Sequence, residues 1–280
     1  MIFEDIKNPF ILSSGPSGNF QELSKIIDLN QIGAITTKTI TPEPKKGNPA
    51  PRIVNIENGL INSIGLQNPG IDEFVEKELT EIEKYEAKKI ISIAGYSPED
   101  FQMMIKKIDD FNIDAYELNF SCPNVNKGGA TITQNFDLYK KCIKISKEST
   151  EKPIIIKLGY SDRILELVEI AINEDVKNFT LINTLKGMRF DLETGKPLLK
   201  RGIGGVSGSV IKPFALAMVY TVKQKYPEAS IIGNGGIFDS DDALEFKYAG
   251  ADYFGIGTAV MMDPELPISL KNEWEDLYVL

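Results

Sequence analysis

The stretch ELNFSCPN, residues 117–124, sets one thiol, Cys122, between two amides, Asn119 and Asn124, with a proline directly behind it. The chain holds 2 cysteines and no histidine. A Ser-His-Asp triad, a Cys-His pair and a His-ligated zinc are therefore all excluded. Any proton transfer must fall to Cys, Lys, Asp, Glu or Tyr. Two cations stand where charge is unexpected: Lys38 in GAITTKT and Lys157 in IIIKLG lie inside apolar runs. A lysine in such a run must reach an anion or a polar ligand. A thiol, two in-strand cations and flanking amides make a small acid–base site the first expectation.

The elements that must position these groups follow from the apolar pattern. Short runs bounded by Gly, Pro, Ser or Asn recur at 10–15, 33–39, 90–95, 115–121, 154–159, 179–184, 230–236 and 253–258. Most are β-branched and nearly continuously apolar, as in parallel strands buried on both faces. Helical patterns separate many of them, at 72–87, 164–175 and 240–251, the last opening at Ser240 and closing at Gly250. Eight strand–helix units predict a parallel (β/α)8 TIM barrel. With 280 residues and no linker or low-complexity run, one domain spanning 1–280 is expected.

Each run ends in polar or glycine residues: Ser13-Ser14-Gly15, Lys38, Ser92, Asn119, Lys157, Asn183-Thr184, Gly235-Gly236 and Gly257-Thr258. In such a barrel all carboxyl ends meet at one face, where the active site sits. GNGGI (233–237) and GIGT (255–258) follow the last two strands. Glycines there let backbone N–H groups approach a phosphate, of a substrate or of a cofactor such as FMN. GIGGVSGSVIKP (202–213) would add backbone donors or act as a flexible lid. No GxGxxG follows the first strand, so a Rossmann site is not indicated.

A net charge of −9 and a pI near 4.8 oppose nucleic-acid binding. No apolar run reaches the roughly 18 residues needed to span a bilayer, and the acidic N-terminus does not resemble a secretory signal, so a cytoplasmic protein without a membrane partner is expected.

The motifs NPAPR (48–52), INSIGLQNPG (61–70), ELNFSCPN (117–124), LINTLKGMRFD (181–191), GGVSGSVIKP (204–213), IIGNGGI (231–237) and GIGT (255–258) together resemble class 1 dihydroorotate dehydrogenases. The resemblance runs from about residue 8 to residue 264, and NSIGLQNPG and INTLKGMRFDLETGKP resemble the 1B branch more than the 1A branch. It implies an FMN-bearing barrel that oxidises dihydroorotate to orotate in pyrimidine synthesis. Carried over by position, Cys122 is the catalytic base. Lys38, Asn62, Ile64, Gly65, Leu66, Asn119, Asn124, Asn183 and Thr184 hold the substrate. Ser14, Gly15, Lys38, Thr39, Asn119, Lys157, Ile182, Gly208, Gly235, Gly236, Gly257 and Thr258 contact FMN. Before the Ala-Gly of strand three, the 1B pattern has Asn-Val where this chain has Ser92-Ile93. Serine keeps a donor and an acceptor but is shorter. Little helix is expected after GIGTAVMMDPELP.

The chemistry implied is removal of a C5 proton and a C6 hydride. An unperturbed thiol, with a pKa of about 8.5, is mostly protonated at neutral pH, so nearby lysines would favour the thiolate. Amides that donate and accept suit a pyrimidine edge, Lys38 suits the orotate carboxylate, and Lys157 suits a flavin edge that becomes anionic on reduction. Residues 128–135 are expected to form a loop that carries Cys122 and moves to admit substrate. Cys142, in the helical pattern LYKKCIKISKE, reads as packing. The 1B resemblance further implies a partner subunit with FAD and a 2Fe-2S cluster passing electrons to NAD, around a homodimer core of a heterotetramer. The alternatives are a fumarate-using 1A-like enzyme, a dihydropyrimidine dehydrogenase-like subunit, and a non-redox phosphate-binding isomerase or lyase barrel.

Overall fold

In a computed structural model that describes residues 2–3, 5–18, 20–121 and 129–278, each of the eight apolar runs contributes one strand to a closed barrel. Twelve strands form among these residues. They are β1 (Phe10–Leu12), β2 (Ala34–Thr36), β3 (Ile53–Ile56), β4 (Gly59–Asn62), β5 (Lys88–Ile93), β6 (Ala115–Asn119), β7 (Ile154–Leu158), β8 (Asn178–Leu181), β9 (Leu185–Gly187), β10 (Gly204–Ser207), β11 (Ser230–Asn234) and β12 (Tyr253–Ile256). The barrel order is β1-β12-β11-β8-β7-β6-β5-β2, and every neighbouring pair is parallel. The polar end of each run falls at or beyond its strand, in the loops at the carboxyl face.

The other four strands form an antiparallel sheet, β3-β4-β10-β9. The sequence reading did not anticipate it. GIGGVSGSVIKP is accordingly no free lid: it supplies β10, then a 3-10 turn (Ser209–Ile211), then a helix. Its glycines let chains approach closely. A Cβ on Gly205 would lie 2.1 Å from Thr184 Oγ1, so only glycine lets β10 pass beside that side chain.

The helices are α1 (Ile71–Phe74), α2 (Thr80–Ile82), α3 (Pro98–Ile108), α4 (Phe136–Lys147), α5 (Ile164–Asn173), α6 (Lys212–Lys225), α7 (Ser240–Ala249), α8 (Thr258–Met262) and α9 (Leu266–Tyr278). A π turn over Val75–Leu79 joins α1 to α2, so the pattern at 72–87 is helical only to Ile82. Ser97 caps α3 with a reciprocal capping box to Asp100. The cap of α7 is Asp239 rather than Ser240: its carboxylate accepts from the Asp242 N–H, while Gly250 closes the helix in the left-handed conformation.

The expectation of little helix after GIGTAVMMDPELP is overturned. The helix α9 covers the foot of β1 and β12, burying Trp274 against Phe254 and Phe10 at ring-centroid distances of 4.8 and 5.9 Å. The short apolar spacing in LPISLKNEWEDLY, with Leu270 and Trp274 four residues apart, was the overlooked signal. The expected loop at 128–135 also differs, forming a 3-10 helix over Gly129–Gln134 with Ile132 buried. Asn135 then caps α4 by accepting from the Leu138 N–H.

Candidate active site

Because strand side chains alternate, residues two apart on a barrel strand share its inner face. Ile11, Ala34, Ile90, Ala115, Ile155, Ile232 and Tyr253, one from each of seven strands, pack together with Ile2 and Phe3. That apolar tier plugs the barrel. Two residues further along the same strands come Ser13, Thr36, Ser92, Glu117, Lys157, Asn234 and Gly255, with Thr180 from β8. This tier is polar. Another step of two reaches Gly15, Lys38, Ala94, Asn119, Gly159, Gly236 and Gly257 at the mouth.

Above the plug lies a cavity of about 700 Å³, in the size range of cofactor and substrate sites. Every described candidate named from the sequence lines it: Ser14, Gly15, Lys38, Thr39, Asn62, Ile64, Gly65, Leu66, Asn119, Lys157, Ile182, Asn183, Thr184, Gly208, Gly235, Gly236, Gly257 and Thr258. Cys122 and Asn124 lie outside the described residues. Ser92 does not line the cavity; it is fully buried in the polar tier.

The polar groups interlock. Asn183 Nδ2 donates to Ser121 Oγ at 2.7 Å, and Ser121 Oγ donates to Asn119 Oδ1 at 2.7 Å. Asn119 Nδ2 donates to Thr39 Oγ1 at 2.9 Å, and Thr39 Oγ1 meets Ser92 Oγ at 2.9 Å and Ser14 Oγ at 3.1 Å. Beneath them Glu117 accepts from Ser92 Oγ at 2.9 Å and from Thr180 Oγ1 at 3.0 Å, while Lys157 Nζ lies 3.7 Å from its Oε1. Lys157 thus reaches an anion within the chain as well as facing the cavity. The sequence reading did not single out that anion.

Two further polar pairs border the cavity, bringing in Asn234 and Ser207, which the sequence did not mark as ligand contacts. Ser13 Oγ donates to Asn234 Oδ1 at 2.7 Å, and Thr258 Oγ1 donates to Ser207 Oγ at 2.8 Å. Asn234 itself is fixed by donating to the Ile182 carbonyl at 2.7 Å. Ser13 and Asn234 sit within the apolar runs at 10–15 and 230–236, so their period-two alignment was available as a signal. Lys45, Gln67 and Asn68 also line the cavity from loops with no periodic pattern to mark them, and Met261 lines it from the short helix α8.

The glycine loops fit a phosphate-bearing ligand. Gly235 and Gly236 take φ of 132° and 96°, values closed to most L side chains. A Cβ on Gly257 would find its nearest neighbours only at 3.8–4.0 Å, so a longer side chain there would fill open cavity. Cys142 does not line the cavity: it is fully buried in α4, and its thiol is pushed up to about 12 by burial first, then by the carboxylates of Glu99 and Asp100. It is a packing residue, inert as a base.

A family model described as dihydroorotate dehydrogenase matches residues 1–277. A relative from Alkaliphilus metalliredigens (strain QYMF), named dihydroorotate dehydrogenase B (NAD(+)), catalytic subunit, is 41% identical over 268 residues, covering 95% of this chain and 88% of its own. A relative of the same name from Bacillus cytotoxicus is 42% identical over 263 residues, covering 92% and 84%. The solved structure of DHODH in complex with ferulenol from Eimeria tenella superposes with a TM-score of 0.81 at 20% identity, covering 96% of this chain and 81% of that one, and shows the shared fold.

Proposed function

The chain belongs to the dihydroorotate dehydrogenase family, and from that premise we propose that it is the catalytic subunit of an enzyme oxidising (S)-dihydroorotate to orotate, with FMN as its flavin and the whole chain as one domain. The observation that carries this reading is the convergence of Lys38, Lys157, Asn119 and Asn183 on one cavity at the carboxyl ends of four strands. The glycine loops alone would equally suit a phosphate-sugar isomerase or lyase barrel, which would purify colourless.

When bound, FMN supplies the acceptor for the C6 hydride. The residues of this chain do the rest. Gly235, Gly236, Gly257 and Thr258 offer backbone donors for its phosphate, and Gly208 and Ile182 border the same volume. Lys157 places a fixed cation where negative charge develops, which favours the reduced state electrostatically. Ser14, Gly15 and Thr39 flank Lys38, whose ammonium is the group suited to the substrate carboxylate. Asn62, Asn119, Asn124, Asn183 and Thr184 hold the ring edge, and Ile64, Gly65 and Leu66 supply its apolar border. Cys122 takes the C5 proton as thiolate. With that acceptor in place, removal of the C5 proton by Cys122 would leave the ring with a C5–C6 double bond.

The relatives' name, catalytic subunit, supports a separate partner subunit. In this reading the partner carries FAD and a 2Fe-2S cluster and delivers electrons to NAD. The chain has 2 cysteines, fewer than the four such a cluster takes. The assembly is a heterotetramer around a homodimer of this chain. Among the described residues no helix is long and apolar enough to cross a membrane, and we place the enzyme in the cytoplasm.

The test is the visible spectrum of the purified protein, followed by anaerobic dihydroorotate. A yellow protein that bleaches, and a Cys122→Ser variant that stays yellow but bleaches much more slowly at neutral pH, is the expected result. Bleaching by dihydrouracil alone would move the protein to the pyrimidine-degrading relatives. A colourless protein that FMN cannot reconstitute would overturn the reading.

A further inference from the structure

Glu117 does not line the cavity, and the chemistry above leaves it without a task. It is 2% exposed, in the tier beneath the mouth, and accepts two hydroxyl bonds. An ionised carboxylate only accepts, so the Ser92 and Thr180 protons both point at it. Ser92 has one proton, now committed. In its 2.9 Å contact with Thr39 it must therefore accept, and Thr39 must donate. The Thr39 proton is then committed too, so Thr39 accepts from Ser14 as it does from Asn119 Nδ2.

The hydroxyl order ends at Asn119, to whose Nδ2 Thr39 turns a lone pair, and beyond it backbone donors fix the amides. With Nδ2 turned toward Thr39, Asn119 has its carbonyl oxygen filled by the Ser121 N–H at 3.1 Å and the Ser121 hydroxyl at 2.7 Å. Ser121 Oγ in turn accepts from Asn183 Nδ2, whose own carbonyl receives the Thr184 N–H at 2.8 Å. Each amide is left with one N–H for a ligand. A neutral group at position 117 would not impose this order, because an amide or a protonated acid can donate to Ser92 and reverse it.

We infer that Glu117 is a positioning residue: its carboxylate holds Lys157 on the barrel wall and sets the direction of the Ser92 and Thr39 hydroxyls, so that Thr39 meets the Asn119 amide as an acceptor. The inference rests on the cavity being the flavin and dihydroorotate site. It goes beyond that reading in giving an unexposed residue control over two parts of it.

The experiment uses the FMN-loaded protein with the isosteric Glu117→Gln and, independently, Ser92→Ala. Glu117→Gln removes a negative charge beside Lys157. The bound flavin should become easier to reduce by roughly tenfold in its equilibrium, about 30 mV upward for two electrons. Ser92→Ala leaves the charge and cuts the chain. Its midpoint potential should stay at the wild-type value while orotate binding, read by the flavin absorbance change, weakens by about fivefold. FMN affinity of the apoproteins, by fluorescence quenching, separates these effects from loss of cofactor. A role confined to folding would lower thermal stability yet leave potential and orotate affinity at wild-type values in both variants, and that result overturns the inference. If Glu117→Gln does not fold, unchanged orotate affinity in Ser92→Ala overturns it alone. A wild-type protein that takes no FMN fails the underlying reading instead, and is distinguished by that control.

Discussion

Lys157 Nζ and Glu117 Oε1 stand 3.7 Å apart on the adjacent strands β7 and β6, with side-chain exposures of 4% and 3%. Two charges this deep lose much of their hydration, and their mutual attraction offsets that loss only while both are present. Lys157→Met should therefore destabilise the fold by about 3–5 kcal/mol, because it leaves a buried carboxylate without its cation. Lys157→Met combined with Glu117→Gln should recover a large part of that loss. Urea unfolding of the four proteins of this cycle measures the coupling. Equal losses in the single and double variants would show that the pair contributes packing alone.

Lys38 stands at the mouth, two residues above Thr36 on the same strand face, and a Cβ on Gly15 would lie 3.9 Å from its Nζ. If it neutralises the substrate carboxylate, Lys38→Met should raise the KM for dihydroorotate by about tenfold or more, the worth of a charge-assisted hydrogen bond. An analogue without the carboxylate should lose far less. Steady-state kinetics with both substrates reads the difference, and equal losses would assign Lys38 to the flavin alone.

The barrel was legible in the sequence because most of its eight runs are nearly continuously apolar and alternate with helical patterns, as buried parallel strands do. The mouth was legible because each run breaks into Gly, Asn, Ser or Lys where the strand ends. Glu117 was not, since a single acidic residue inside AYELN reads as an interruption of the run. Its meaning comes from aligning it, by steps of two, with Ser92 and Lys157 on neighbouring strands, and that requires the register Ser92↔Glu117 and Asn119↔Lys157. The β3-β4-β10-β9 sheet was illegible for another reason. Its strands are three or four residues long and rich in Gly, and although β3 and β4 form a local hairpin, β4 and β9 reach β10 only from far away in sequence.

Cys142 gives a chemical test of burial. Its thiol, raised to about 12 mainly by desolvation, stays protonated and shielded at neutral pH. Ellman's reagent should therefore find no reaction at Cys142 in the folded protein and full reaction after denaturation, with Cys142→Ala as the reference. The sign of the linkage follows: a folded pKa above the unfolded 9.0 leaves stability intact below pH 9.0 and erodes it as pH rises toward 12. Cys142→Ala should lack that part of the alkaline loss. Rapid native labelling of Cys142 would show that α4 opens readily.

Trp274 tests whether α9 is a structural part of the barrel. Its ring packs edge-on to Phe10 at 89° and against Phe254 at 60°, and only 5% of the residue is exposed. Those two phenylalanines belong to β1 and β12, the strands that close the barrel, and they pair directly at Phe10↔Phe254. Removing the indole leaves a cavity against the closure seam and loses two aromatic contacts, so Trp274→Ala should cost about 3–5 kcal/mol. Trp274→Phe should cost much less. Because the seam lies at the foot of the strands and the cavity at their carboxyl ends, FMN affinity measured well below the melting temperature should hardly change in either variant. A stability loss under about 1 kcal/mol would mean that α9 merely rests on the barrel, since surface substitutions rarely exceed half that value.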